Sequence, residues 1–205
     1  MTLSNSGKLE IANLTPADAA ALSVLARTLS DQPRVQQKFT SKVLDLPAGM
    51  DWTPPASNHM SEDQVQLLMH EMSQSTGVHL RTLPSVTSKS GQTTSIEIVR
   101  DFIYPVDETG EKFEKHQIGH VMHVEGSLLG FGNEVNFDYT DTTGEIDSAT
   151  GKPIINTRAN LSDLGFSNDG VTRIVTQTRP DGTKTLLLLT SQLIDATGRP
   201  IRDNQ

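Results

Sequence analysis

The chain has 205 residues, the size of one domain or of one domain with a small attachment. Its 17 Lys and Arg against 25 Asp and Glu give a formal net charge of −8, and only 4% of its residues are aromatic. These values argue against binding to nucleic acid or to an anionic membrane surface, because both partners attract clustered positive charge. The absence of cysteine excludes disulfides, thiol catalysis and thiolate metal sites.

No sequence signal for a membrane span or for export is visible. The longest apolar run is the four leucines at 186–189, whereas a transmembrane helix needs roughly 18–20 apolar residues. The first seven residues are small and polar and lack the charged and apolar regions of a signal peptide. We therefore predict no transmembrane span, and we expect either a cytoplasmic protein or a mature form whose export signal has been removed.

The first 34 residues are predicted to form a lead-in and one helix. Thr15 can cap a helix whose first residue is Pro16, and apolar residues recur at helical spacing as far as Leu29, so we predict a helix over 16–30. Residues 35–46 are rich in β-branched and alternating side chains and predict a strand, which Pro47 and Gly49 close. We place the domain boundary between residues 34 and 35, with a β-rich domain over 35–205.

A second helix is predicted near 62–76. Ser61 and Gln64 have the spacing of a capping box, and Gly77 is the predicted C-terminal cap. One face of this helix is apolar and includes Met69 and Met72, which we interpret as core residues.

The chain after Gly77 is predicted to be β-structure. Residues 94–104 and 133–139 alternate between apolar and polar, with Val135, Phe137 and Tyr139 facing inward. Turns are predicted at 90–91, 143–144, 168–170 and 179–182, and an exposed loop over 143–152. The predicted fold is α+β and mainly β: two helices followed by an antiparallel β-sandwich, either immunoglobulin-like or secretin-like.

Three histidines, His116, His120 and His123, are the candidates for a metal site. A metal needs imidazoles that converge on one point, whereas His120 and His123 point to opposite faces of a strand. We therefore interpret them as histidines scattered along a strand, and a metal site remains the less favoured alternative.

No catalytic residue or cofactor is predicted. Ser127 lacks the glycine spacing of a nucleophile elbow, and Gly126, Gly130 and Gly132 do not open a helix that could bind phosphate. An acidic cluster misses the spacing of a calcium loop, so we interpret it as a solvated loop rather than as a weak Ca²⁺ site; it consists of Asp138, Asp141, Glu145 and Asp147.

Several segments together resemble the secretin domain of the outer-membrane rings of type II and III secretion and type IV pilus machines. They are the helix at 61–72, the G-V-x-L strand at 77–80, the L-P-S-V to S-G-Q hairpin at 83–92, the strand at 94–105, and the following hairpin at 122–137. With the entry helix upstream and the D-x-x-G-x-P-I motif at 195–201, the resemblance covers about residues 20–201. It implies a non-enzymatic envelope protein whose partners are other pilus or secretion-assembly proteins.

The chain also departs from the secretin pattern. After Asp181-Gly182-Thr183 it runs directly into the leucine-rich strand, without the gate segment that secretins insert there. We therefore expect a structural or adaptor component that is a monomer or small oligomer rather than a large ring, with strand edges at 94–104 and 171–178 as binding surfaces. The alternatives are true ring formation, or a secreted β-sandwich that binds a metal or small ligand through His116, His120 and His123.

Overall fold

The computed structural model describes residues 2–3, 9–10, 35–107, 111–129 and 132–201. The chain divides into two compact units, Met1–Arg34 and Val35–Gln205. In the first, strand β1 (Thr2–Leu3) pairs antiparallel with β2 (Leu9–Glu10). The helix predicted over 16–30 lies outside the described residues.

In its described residues, the second unit contains one helix and two antiparallel sheets. The helix is α1 (Glu62–Gln74), and the strands are β3 (Gln36–Leu46), β4 (His59–Met60), β5 (His79–Thr82), β6 (Val86–Lys89), β7 (Gln92–Pro105), β8 (Phe113–Leu129), β9 (Gly132–Ile146), β10 (Pro153–Ser167), β11 (Thr172–Thr178) and β12 (Lys184–Ile194). A six-stranded sheet has the order β4-β11-β12-β3-β5, with β6 also paired to β3, and a four-stranded sheet has the order β10-β9-β8-β7. The mainly-β prediction is confirmed, and one of the two predicted helices falls within the described residues.

Helix α1 begins as its sequence predicts. The Gln64 amide donates to Ser61 Oγ over 3.3 Å, and the Ser61 amide donates to Gln64 Oε1 over 2.9 Å, which completes the capping box. Its C-terminal end differs from the prediction, because the capping residue is Ser75, whose amide donates to the Met72 carbonyl. Gly77 lies two residues further on, in the turn toward β5, with φ of +82°.

Two apolar clusters hold three layers together. One fills the space between the sheets, and it joins Phe39 and Leu187 of the six-stranded sheet to Met122 and Phe137 of the four-stranded sheet. The other lies on the opposite face of the six-stranded sheet, where Leu188 and its neighbours pack against α1. The leucine run at 186–189 alternates between the two clusters, because successive side chains of a strand point to opposite faces.

Strand β9 confirms one prediction and overturns another. Val135, Phe137 and Tyr139 are buried as predicted. The predicted turn at 143–144 and the predicted loop start at residue 143 are wrong, because β9 continues to Ile146 and the connecting loop covers only 147–152. Gly144 does not form a turn: a Cβ there would lie 2.7 Å from the Phe102 ring, so the missing side chain makes room for an aromatic neighbour.

The hairpin between β11 and β12 supplies a first testable prediction. Gly182 has φ of +83°, and a Cβ at this position would make only ordinary contact, 3.5 Å from Ala48 Cβ. Gly182→Val should therefore lower the free energy of unfolding by about 1 kcal/mol or more through backbone strain alone, as measured by urea denaturation. Gly182→Asn is the matched control, because asparagine tolerates positive φ, and an equal cost for both variants would contradict this explanation.

Candidate functional site

Charged side chains from both sheets converge at one end of the apolar layer between them. We call this set the charged network; it consists of Asp45 (β3), Arg81 (β5), His120 (β8), Asp141 (β9), Arg158 (β10) and Arg179, which follows β11. Each member is distant in sequence from most of the others, and antiparallel pairing brings them together. The network joins the two sheets through the ion pairs Arg81–Asp141 and Arg158–Asp45.

Asp141 is the most buried carboxylate of the charged network. Its Oδ2 accepts from Arg158 Nη2 at 2.6 Å and from Arg158 Nε at 3.1 Å, and it lies 3.6 Å from Arg81 Nη1. The side chain is 3% exposed. Arg158 reaches it because the β9–β10 register shifts between Thr157 and Ala159, which takes Arg158 out of the pairing ladder.

Asp45 completes the network from the six-stranded sheet. It forms an ion pair with Arg81, and its Oδ1 accepts from Thr185 Oγ1 at 2.7 Å and from Arg179 Nη2 at 3.2 Å. The same Arg179 nitrogen donates to Thr185 Oγ1 over 2.7 Å. Three guanidinium groups thus face two carboxylates, which leaves the network with an excess of positive charge.

The charged network contacts Tyr139 through His120. His120 Nδ1 lies 3.0 Å from Tyr139 Oη and 3.3 Å from Asp141 Oδ1. Burial lowers the pKa of His120 below 6.5; Asp141 opposes the shift, and Arg81 and Arg158 add to it. Burial also raises the pKa of the Tyr139 hydroxyl, so both groups are uncharged at neutral pH.

The lowered pKa of His120 predicts a pH dependence of stability. The unfolded chain protonates this imidazole near pH 6.5, whereas the folded chain does so only at lower pH, so the unfolded state binds more protons in that window. The free energy of unfolding should therefore fall as the pH drops below about 6.5. His120→Gln should flatten that slope in urea titrations between pH 7 and pH 5 (roughly the range in which histidine titrates), whereas His123→Gln, at an exposed position of the same strand, should leave it unchanged. Equal slopes in the wild type and His120→Gln would contradict the assignment.

A cavity of about 350 Å³ opens beside the charged network, and we call it the fork cavity. It lies where β9 diverges from β8, since the pairing of these strands ends at Gly119 and Thr142. The Thr142 side chain links the two strands at this position, since its Oγ1 accepts from the Gly119 amide over 3.2 Å. The lining residues come from four strands: Ile98, Val99 and Arg100 of β7, Ile118, Gly119 and His120 of β8, Asp141, Thr142 and Thr143 of β9, and Arg158 of β10.

The structure does not bring the three predicted histidines together. All lie on β8, where His116 and His123 are exposed and only His120 is half-buried in the charged network. Across residues 35–107, 111–129 and 132–201, no three His, Asp or Glu side chains are placed to hold a metal ion. The ligand-binding alternative through His116, His120 and His123 is therefore not favoured.

The other sequence candidates have structural roles or exposed positions. Ser127 lies within β8, Gly126 is buried in the same strand, and Gly132 begins β9, while Gly130 is outside the described residues. The interpretation of the acidic cluster as a solvated loop is wrong for Asp141, which is buried in β9. Asp138 and Glu145 are exposed on the same strand, and Asp147 organises the next turn by accepting from the Thr150 hydroxyl at 2.6 Å.

The two predicted strand edges differ in how they are covered. Among the described strands, β7 lies at the end of its sheet and pairs only with β8. Strand β11 is covered in its first half, where Thr172 and Arg173 pair with β4 and the Ile174 amide donates to the Asn58 carbonyl. Of the two, β7 is the open edge.

The remaining end strand of the four-stranded sheet, β10, contacts side chains of the other sheet. The Asn160 amide donates to Gln177 Oε1 over 3.0 Å, and His59 Nε2 lies 3.3 Å from the Phe166 carbonyl oxygen. Arg173 adds an ion pair with Asp163 at 2.5 Å. The C-terminal half of β10, from Asn160 onward, therefore contacts the six-stranded sheet.

In the described part of the chain, no helix combines the length and the apolar character that a membrane-spanning helix requires. No protein-family model matches the sequence, and a search of curated proteins finds no match.

Solved structures of secretins are similar to this chain. The pilotin–secretin AspS–GspD complex of ETEC matches with a TM-score of 0.54 and 10% identity, over 89% of this chain and 54% of that one. The type II secretin GspD of enteropathogenic Escherichia coli gives a TM-score of 0.49 at 9% identity, over 91% and 77% of the two chains. The Vibrio cholerae type IV competence pilus secretin PilQ gives 0.47 at 11% identity, over 88% and 66%. The chain thus spans about half of the matched ETEC chain, and it has a secretin-like fold.

Proposed function

We propose that this chain is a non-enzymatic structural or adaptor component of the bacterial cell envelope that works in or beside a type IV pilus or a type II or III secretion assembly. The observation that carries the proposal is the secretin-like fold, which extends over 89% of the chain at a TM-score of 0.54. Its partners are other proteins of that assembly, and its location is the periplasm or the periplasmic side of the outer membrane.

The open edge of β7 is the proposed contact surface. An exposed edge offers a row of backbone donors and acceptors to a strand of another protein, which adds to the sheet by β-augmentation. Strand β7 runs for 14 residues from Gln92 to Pro105, long enough for a partner strand of ordinary length. Ser95 and Glu97 are exposed polar side chains of this strand, and Ile98 and Ile103 are exposed apolar ones that a partner strand could cover.

The packing of the two sheets supports a closed two-layer arrangement within one protomer. The apolar cluster between them contains residues from both sheets and does not require a second chain. We therefore propose that the protein is a monomer or a small oligomer and that the two sheets form a sandwich. Size-exclusion chromatography with light scattering should give the mass of one or two chains, and a ring of about a dozen would overturn this part of the proposal.

Photocrosslinking in cells tests the partner directly. A photoreactive amino acid at Ser95 or Glu97 of β7 should crosslink to a pilus or secretion-assembly protein, identified by mass spectrometry. The matched control carries the same amino acid at Glu71, an exposed position on α1. Adducts only with proteins unrelated to such assemblies, or equal adducts from Glu71, would overturn the proposal.

A further inference from the structure

The fork cavity combines apolar walls with cationic groups at one side. Ile98 of β7 and Ile118 of β8 supply aliphatic surface, and Arg100 and Arg158 supply guanidinium groups. Its volume of about 350 Å³ is within the range of small-molecule sites, which are mostly apolar with a few placed polar groups. This composition indicates a ligand with both an apolar body and a polar end.

The charges around the cavity indicate the sign of that polar end. The side chain of Arg100 is exposed and forms no ion pair or hydrogen bond within the described ranges of the chain. Arg158 is only partly covered, with 36% of its side chain exposed, although it binds Asp141. Because the charged network already has three guanidinium groups against two carboxylates, Arg100 adds to an existing positive excess. A local excess of this sign in a chain of net charge −8 favours an anion.

We propose that the fork cavity binds an aliphatic carboxylate. The carboxylate would lie between Arg100 and Arg158, since guanidinium groups bind carboxylates through charge-assisted and often paired hydrogen bonds. The aliphatic body would contact Ile98 and Ile118, which share one face of the β7–β8 pair. A bare phosphate fits less well, because the apolar walls would desolvate its remaining oxygens without replacing their hydrogen bonds. The inference is independent of the proposed role in an envelope assembly.

Calorimetric titration of the full chain at constant ionic strength tests the ligand chemistry with three small probes. Hexanoate carries both features, hexanamide keeps the apolar body without the charge, and inorganic phosphate keeps the charge without the body. Hexanoate should bind and perturb the amide NMR signals of Gly119 and Thr142, while the other two should bind at least about tenfold more weakly. An acetylated Gly-Leu dipeptide in a fourth titration separates a peptide C-terminus from a free acid as the source of the carboxylate.

Two variants locate the site. Arg100→Gln should weaken hexanoate binding about tenfold, which corresponds to the loss of one charge-assisted contact. Lys152→Gln, which removes an exposed charge that does not line the fork cavity, should leave binding unchanged. An unchanged thermal midpoint shows that Arg100→Gln has not altered the fold. Phosphate or hexanamide binding as strong as hexanoate, no binding of hexanoate, or full binding by Arg100→Gln would each overturn the proposal.

Discussion

Replacing Asp141 by asparagine should lower the free energy of unfolding by about 3–5 kcal/mol, because it removes the charge of the most buried carboxylate in the charged network. Arg158 and Arg81 would then share Asp45 as their only remaining carboxylate in the network. The loss should exceed the value of any single ion pair, since three guanidinium groups would then face one carboxylate between the two sheets. Urea denaturation at pH 7 measures the change.

The control for Asp141→Asn is Asp138→Asn on the same strand. Asp138 is exposed three residues away and forms no hydrogen bond or ion pair with a network member among the described residues, so its replacement should change stability by less than about 0.5 kcal/mol. A cost for Asp141→Asn that is as small as this would mean that the network does not hold the sheets together. The network members should also be non-additive in double mutants, because they share partners.

Gly119→Ala should be nearly as damaging, with an expected loss of about 3 kcal/mol or more. A Cβ at this position would lie 2.2 Å from the carbonyl oxygen of Ile98 on the paired strand β7, and the backbone φ is +133°. A backbone atom within a sheet cannot move away as a flexible side chain would. The strain should distort the β7–β8 pairing, and denaturation measurements should show it as a lower unfolding midpoint.

Gly151→Ala tests whether the loss comes from the close contact with Ile98 or from the positive φ alone. Gly151 also has positive φ, at +66°, but nothing lies within 4 Å of the position of a Cβ. Its replacement should therefore cost only the backbone term, about 1 kcal/mol. If the two alanine variants lose equal stability, the close approach to Ile98 does not matter and the explanation for Gly119 is wrong.

Local patterns in the sequence predict much of this fold. The capping box at Ser61 and Gln64 identifies the start of α1, and the alternation through Val135, Phe137 and Tyr139 identifies the buried face of β9. Such features depend on neighbours within one or two turns or along one strand. The resemblance to the secretin domain agrees with the fold, and the match to the ETEC complex supports it.

The charged network could not be predicted in the same way. Asp45 and Arg179 are 134 residues apart, and only the pairing order of the strands brings their elements together. Arg158 reaches Asp141 through a register shift that has no clear mark in the sequence. Asp141 itself is one of several acidic residues in a polar stretch, so composition alone suggests a solvated loop where the structure has a buried strand.

The unequal ends of the four-stranded sheet limit how many partners it can recruit. Continuous head-to-tail growth through strand pairing requires two free and complementary edges on every subunit. Within the described part of the chain, β7 has a partner strand on one side alone, whereas β10 contacts Gln177 at Asn160 and His59 at Phe166. We therefore expect a partner strand to add at β7 and not at the covered half of β10, which would give a heterodimer or a twofold dimer at this sheet.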